Sequence, residues 1–280
     1  MFRQSTKFAL GLAIAAGAQL AADCASAQQA TLDRLKRTGI INVCADPDLL
    51  PYSSDKLNPA GYDMEIAQQI AKELGYQLGY IWYSTRRGTK IVRQLSDSNC
   101  DFFLGFPVDS SFEESNFKII LSKPYYSSGF AVVARADAPN TILQDSKTKG
   151  VGVQMGMLPD FKLFERGYER KLFRNTAEIF DALLHKEIDV AVIPAPEGGW
   201  EVKSKGDPNI KVLTDTEKDF VFPMAIGFRK EDKELRNQVN TIIDKMQADG
   251  RLTAILDKYG MVKLAGTGGG VAPTSKADAE

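Results

Sequence analysis

Short apolar runs alternate with amphipathic stretches along most of this chain. IINVCA (40–45) is a compact apolar run that ends at Asp46-Pro47. GYDMEIAQQIAKELGY (61–76) sets Met64, Ile66, Ile70 and Leu74 near helical spacing and stops at Gly75. LGYIWY (78–83) is a strand pattern, GTKIVRQLSD (88–97) a short helix and DFFLGF (101–106) another strand. This β-α-β-α-β order predicts a parallel sheet with right-handed crossovers.

A long strand, GFAVVARAD (129–137), follows. A second β-α series then opens with KGVGVQMG (149–156). It continues through a helix near 159–167, a strand at 171–173, a helix at 176–186 and IDVAVIP (188–194). The last strand, FPMAIGFRK (222–230), precedes helical stretches from Lys233 to Tyr259. The two long strands therefore bracket the second series, and the chain returns to its first part to finish. That path predicts an α/β fold of two lobes joined by two crossing hinge strands. Its cleft would lie at the carboxyl ends of the parallel strands.

The ends are read separately. Arg3 and Lys7 precede an apolar run from Phe8 to Leu20, and Ala25-Ser26-Ala27 is a small-x-small site. This is the pattern of a secretory leader cleaved after Ala27. The run is shorter than the roughly 20 apolar residues needed to span a bilayer. The Gly/Ser/Pro-rich end predicts an unstructured tail. The expected organisation is a leader at 1–27, lobe one at 28–131 and 226–265, lobe two at 132–225, and a tail at 266–280. The expected location is the periplasm.

Charge narrows the partners. The formal net charge is −1, and losing Arg3, Lys7 and Asp23 with the leader makes it −2. Such a balance offers no electrostatic case for nucleic acid or anionic lipid. Beyond the leader only Cys44 and Cys100 remain. An oxidising compartment favours their pairing. Against this, an expected offset of about four residues between neighbouring strands is ~13 Å, while a bridge needs Cα atoms within about 7 Å. Both states stay open. There is no Ser/His/Asp order, no Cys/His pair and no metal-ligand spacing, so neither catalysis nor a cofactor is expected.

Four segments carry a family resemblance: GYDMEIAQQIAKELGY, LSKPYY (121–126), VGVQMG (151–156) and VNTIIDKMQADGRLTAILDKYG (239–260). In this order they resemble the periplasmic solute-binding proteins of family 3, the amino-acid type. The resemblance spans about 40–262. It implies the type II two-lobe fold, hinge closure over a small solute and delivery to an ABC transporter. A narrower likeness rests on VCADPDLLPYSS (43–54), YIWYSTRRG (80–88), CDFFLGFPVD (100–109) and PYYSSGFAVV (124–133). These resemble the binding proteins associated with quinoprotein methanol dehydrogenases, the MoxJ/XoxJ type. That subgroup's Trp-Gly-Pro stands here as Pro194-Ala195-Pro196.

The family's ligand clamps are altered. The loop after the third strand should present small hydroxyl residues and then an arginine. Laid over this chain, those positions are Gly105, Phe106, Val108 and Glu113. The stacking aromatic falls near Gly88, the second-lobe hydroxyl becomes Met157 and the ammonium-binding aspartate becomes Pro194. Asp46 is retained. A buried carboxylate needs charge-assisted donors, and an arginine fork supplies two. A glutamate in that place would repel it, so a free α-amino acid is not the expected ligand.

The candidate ligand residues are Asp46, Tyr52, Trp82, Arg86, Arg87, Gly105, Phe106, Met155, Gly156, Met157 and Glu197. Arg86 and Arg87 end a strand and could receive an anion or a partner protein, or be a solvated pair. Trp82 reads more readily as core than as a stacking platform. Phe106, Met155 and Met157 would make an apolar floor. Glu197 and Trp200 fall on a loop able to face the first lobe. The leading functional expectation is an accessory of a PQQ-dependent alcohol dehydrogenase system, contacting the dehydrogenase or its cytochrome. The alternatives are a transport receptor for a small organic solute and, last, an enzyme on the same fold.

Overall fold

The structure is a computed structural model in which residues 30–84, 90–108, 118–213, 218–262 and 264 are described. The leader, the tail, Arg86, Arg87 and Glu113 lie outside the described residues.

The first lobe opens with helix α1 (30–38), whose Leu35 is fully buried. Strand β1 (Ile40–Ala45) follows, then a small hairpin of β2 (Asp48–Leu49) and β3 (Ser53–Ser54). Helix α2 (Tyr62–Leu74) buries Met64, Ile66, Ala67 and Ile70 against the sheet, and ends at Gly75 with φ 78°. A left-handed residue there costs glycine little, because it has no Cβ. Strand β4 (Gln77–Trp82), helix α3 (Lys90–Ser96) and strand β5 (Phe102–Pro107) complete the series. β4 and β5 flank β1, both parallel to it. The sequence pattern therefore placed these elements within two residues of their ends.

Strand β6 (Ile119–Leu121) leads into β7 (Tyr126–Arg135). The second lobe holds helix α4 (Ile142–Asp145), β8 (Val151–Gln154), helix α5 (Leu158–Glu165) and β9 (Arg170–Phe173). Helix α6 (Thr176–Leu184), β10 (Val190–Pro194), helix α7 (Ala195–Lys205) and β11 (Ile210–Leu213) follow. The chain returns along β12 (Val221–Arg229) and closes with α8 (Lys233–Ala248) and α9 (Arg251–Lys258). The segment 195–205 is a helix rather than the expected loop. Its Pro196, Gly198 and Gly199 are weak helix formers, and tertiary packing overrides them: Gly198 fits beside Val133 and Ile193.

The lobes are joined as the bracket of long strands implied. β7 pairs with β10 and β11 through residues 130–135, inside the second lobe. β12 pairs with β5 and β6 inside the first. Between those regions Tyr126–Gly129 and Met224–Val221 pair antiparallel with each other. One ten-stranded mixed sheet thus runs through both lobes. Gly129 is obligatory at the crossing, since a Cβ there would lie 1.9 Å from the Phe220 carbonyl oxygen.

Cys44 and Cys100 are bonded, with Cα atoms 5.5 Å apart. The expected four-residue offset was too large. Phe102 is in register with Val43, and the Asp101 N–H donates to the Asn42 carbonyl at 2.8 Å. That register alone would leave Cys100 three residues, ~10 Å, behind Cys44. Cys100 instead lies outside β5, between bends at Asn99 and Asp101, so the rise of a straight strand does not set its distance from Cys44. Leu95 of α3 packs in the same apolar cluster as both cysteines.

Candidate functional site

Backbone geometry at the start of α2 builds the site. The loop between β2 and β3 presses on the helix start: Tyr62 N–H donates to Pro51 O at 2.8 Å and Asp63 N–H to Tyr52 O at 3.1 Å. Gly61 allows this approach at φ 94°, for a Cβ would sit 2.3 Å from Tyr52 O. Its own N–H donates to Tyr259 Oη at 2.9 Å, and Tyr259 donates to Glu65 Oε1 at 2.6 Å. The last helix therefore pins the first turn of α2, which carries Asp63.

A cavity of about 160 Å³ opens between this turn and the carboxyl ends of β1 and β5. Asp46, Tyr52, Ser53, Asp63 and Gly105 line it beside the apolar Leu49, Met64 and Phe103. Asp46 is 4% exposed; its Oδ1 accepts from the Asp48 N–H at 3.1 Å, and its carbonyl accepts from Ser53 Oγ at 2.7 Å. Asp63 is 6% exposed and accepts from Tyr125 Oη at 2.9 Å on Oδ1. Burial pushes the Asp63 carboxyl up to about 7, against the lowering effect of that hydrogen bond.

Tyrosines surround it. Tyr62 packs against Tyr52 at 5.5 Å and edge-on to Tyr126 at 5.7 Å, and the Tyr62 and Tyr126 hydroxyls are 2.7 Å apart. Tyr126 belongs to β7, so the hinge crossing adjoins the cavity. From the second lobe, Glu197 in the first turn of α7 accepts from Thr176 Oγ1. Burial raises the Glu197 carboxyl, and the Thr176 bond partly offsets it. Burial raises the Tyr52 phenol first, and the charges of Glu197, Tyr126 and Asp63 add to it. Tyr52 thus lies within the field of carboxyls from both lobes.

Three of the sequence candidates, Asp46, Tyr52 and Gly105, line the cavity; Glu197 does not, and acts on it only through its charge, which helps raise the Tyr52 phenol. Phe106 does not form a floor. It is 6% exposed, packs edge-on to Phe103 and fills the space over Gly227. Phe106 shares strand parity with Phe102 and Leu104 of the α2-side core. A bulge at Gly105 (φ 89°), where Leu104 pairs with Ile226 and Phe106 with Ala225, breaks the alternation. It turns Phe106 to the other face, beside Leu95 and the cysteines. Trp82 stacks on Tyr80 at 5.2 Å on the edge strand and packs on the first-lobe core. Met155 and Met157 are 62% and 37% exposed, and the Gly156 N–H donates to Asp160 Oδ2 at 2.8 Å; none of the three lines the cavity. Trp200 stands on α7 and packs on Tyr259 with ring centroids 5.5 Å apart.

The residues that sequence reasoning missed are Asp63, Tyr62, Tyr125 and Tyr126. Asp63 sits one residue ahead of the apolar stripe of α2, where an acid ordinarily reads as a solvated helix-start charge. The adjacent tyrosines of GYD and KPYY were the available signal.

Two lobes, crossing strands and a cleft-side cavity define a solute-binding architecture, and the comparisons agree. The model of the bacterial extracellular solute-binding proteins, family 3, matches residues 41–262. The chain belongs to that family. It is similar to the arginine-binding extracellular protein ArtP of Bacillus subtilis, with 25% identity over 80% of this chain and 86% of the relative. It is likewise similar to the L-cystine-binding protein TcyJ of Escherichia coli, at 24% over 92% and 95%. Among solved structures, an ancestral cationic amino acid solute-binding protein superposes with TM-score 0.71 at 25% identity. That match covers 82% of this chain and 99% of the other. Among the described residues, no helix is long and apolar enough to cross a membrane, and no group of three or more potential metal ligands occurs.

Proposed function

We propose that this protein is a periplasmic receptor that closes its two lobes over a small organic solute and delivers it to an ABC transporter. The observation that carries this reading is the crossing of β7 and β12 beside a cavity whose walls include Tyr52 and Asp63. Such a crossing is a hinge: a few strand residues absorb the rotation while each lobe stays rigid. We place it within the crossing segments 126–129 and 221–224, a few residues ahead of the 131/132 and 225/226 boundaries that the sequence pattern predicts. The relatives named for arginine and cystine binding support a receptor rather than an enzyme, and the leader pattern at 1–27 supports export. The ligand would meet Asp46, Tyr52 and Gly105 on one lobe and Glu197 on the other, with Arg86 and Arg87 as further candidates.

A second reading, an accessory of a quinoprotein dehydrogenase, rests on the narrower sequence resemblance alone, and the family match and the relatives named for solute binding favour transport over it. Gene deletion separates the two. Loss of uptake of one solute with dehydrogenase activity intact supports transport. Loss of dehydrogenase activity with uptake intact supports the accessory role and overturns the first reading.

A further inference from the structure

Asp63 of the first lobe is buried and Glu197 of the second is half-buried. Among the described residues neither meets a cation: Asp63 accepts from the Tyr125 hydroxyl and Glu197 from the Thr176 hydroxyl. A buried carboxylate without a counter-charge is costly, and proteins ordinarily pair it. Asp63 Oδ2 is turned toward Gly105, 3.7 Å from where a Cβ there would stand, and Gly105 is a cavity wall. The space beside this oxygen is open because position 105 is glycine. Tyr52 forms a second wall and packs on Tyr62. Aromatic rings beside a carboxylate attract an organic cation through charge and through the negative ring face.

We infer that the cavity takes a small organic cation without a carboxylate, an alkylammonium or alkylguanidinium group, with Asp63 as its counter-charge and Tyr52 as its aromatic wall. The assignment rests on the solute-binding reading and names its ligand class. Size supports it, since an apolar cavity of about 150 Å³ holds a benzene-sized molecule, and this one is about 160 Å³. Charge on the described walls disfavours the alternative: a ligand carboxylate would face Asp46 and Asp63, and none of the described wall residues is an arginine.

The test is calorimetry on the mature protein with n-butylammonium and methylguanidinium. 1-Butanol serves as the neutral control, butyrate as the anion, and arginine and histidine as carboxylate-bearing cations. We expect both simple cations to bind at least tenfold tighter than butanol, butyrate or either amino acid. Asp63→Asn should weaken them at least tenfold with an unchanged circular dichroism spectrum. If that variant does not fold, Tyr52→Leu should weaken them several-fold. Cation binding that is untouched in the folded Asp63→Asn protein, or in Tyr52→Leu where it alone folds, overturns the assignment. Tight binding of butanol, butyrate or an amino acid without the simple cations also overturns it and leaves the receptor reading standing. Silence across the whole panel overturns it as well, and the deletion phenotype then decides the receptor reading separately.

Discussion

Tyr125 donates its hydroxyl hydrogen to Asp63 Oδ1 at 2.9 Å, and both side chains are buried. Tyr125 precedes the hinge strand and Asp63 opens α2, so this bond ties the cavity wall to the crossing. Tyr125→Phe keeps the ring and leaves a buried oxygen without its donor. An unsatisfied buried group costs about 1–3 kcal/mol. Urea unfolding followed by circular dichroism should show a loss in that range, and an unchanged midpoint would mean that water takes the hydroxyl's place.

The raised Asp63 carboxyl makes a pH prediction whose sign is fixed. Its folded value is about 7, against an ordinary value of about 3.9. Between these values the folded chain keeps a proton that the unfolded chain has lost. This group therefore favours folding most on the acid side, and its contribution falls as pH rises from about 4 to about 7. The full change is of order 4 kcal/mol at 1.36 kcal/mol per unit. Asp63→Asn should remove that slope. Unfolding free energies at pH 5 and pH 8 should differ between wild type and variant by a few kcal/mol in this direction, and parallel pH curves would refute it.

The Cys44–Cys100 bond closes a loop with a sequence separation of 56. In the chain-entropy account such a crosslink stabilises by about 4 kcal/mol. Cys44→Ala with Cys100→Ala should lower the melting temperature clearly, and alkylation of the unfolded wild-type protein without reductant should modify neither cysteine. A reactive pair in that assay would show that the bond does not form in the exported protein.

Gly199 and Gly260 hold the lobes together away from the hinge. A Cβ on Gly199 would meet the Gly260 carbonyl oxygen at 2.0 Å, a backbone atom that no side-chain rotation can move, with Val262 Cγ2 next at 2.9 Å. Gly199→Ala should force α7 away from the end of α9, at a cost of about 1–3 kcal/mol as for other overpacked sites. Small-angle scattering should report a larger radius of gyration than wild type. An equal radius and equal stability would mean that the contact is not maintained in solution.

The sequence by itself determined the elements and the two-lobe path, because their signals are local. Ile66, Ile70 and Leu74 declare the inner face of α2, Gly75 its end, and the two long strands bracket a complete second series. It also placed Asp46, Tyr52 and Gly105 beside a cleft, since strand ends are where such sheets bind. Only the tertiary structure decided the rest. Cys44 and Cys100 meet because the chain bends at Asn99 and Asp101, ahead of β5, and an offset counted along straight strands does not apply there. The segment 195–205 became a helix because neighbours fill the space around its glycines, against their own propensity. Phe106 turned away from the cavity because a bulge at Gly105 breaks the alternation of β5, which a strand pattern in the sequence does not show. Asp63 reads as an ordinary helix-start acid until Tyr52, Tyr125 and Tyr126, distant along the chain, close over it and remove its water.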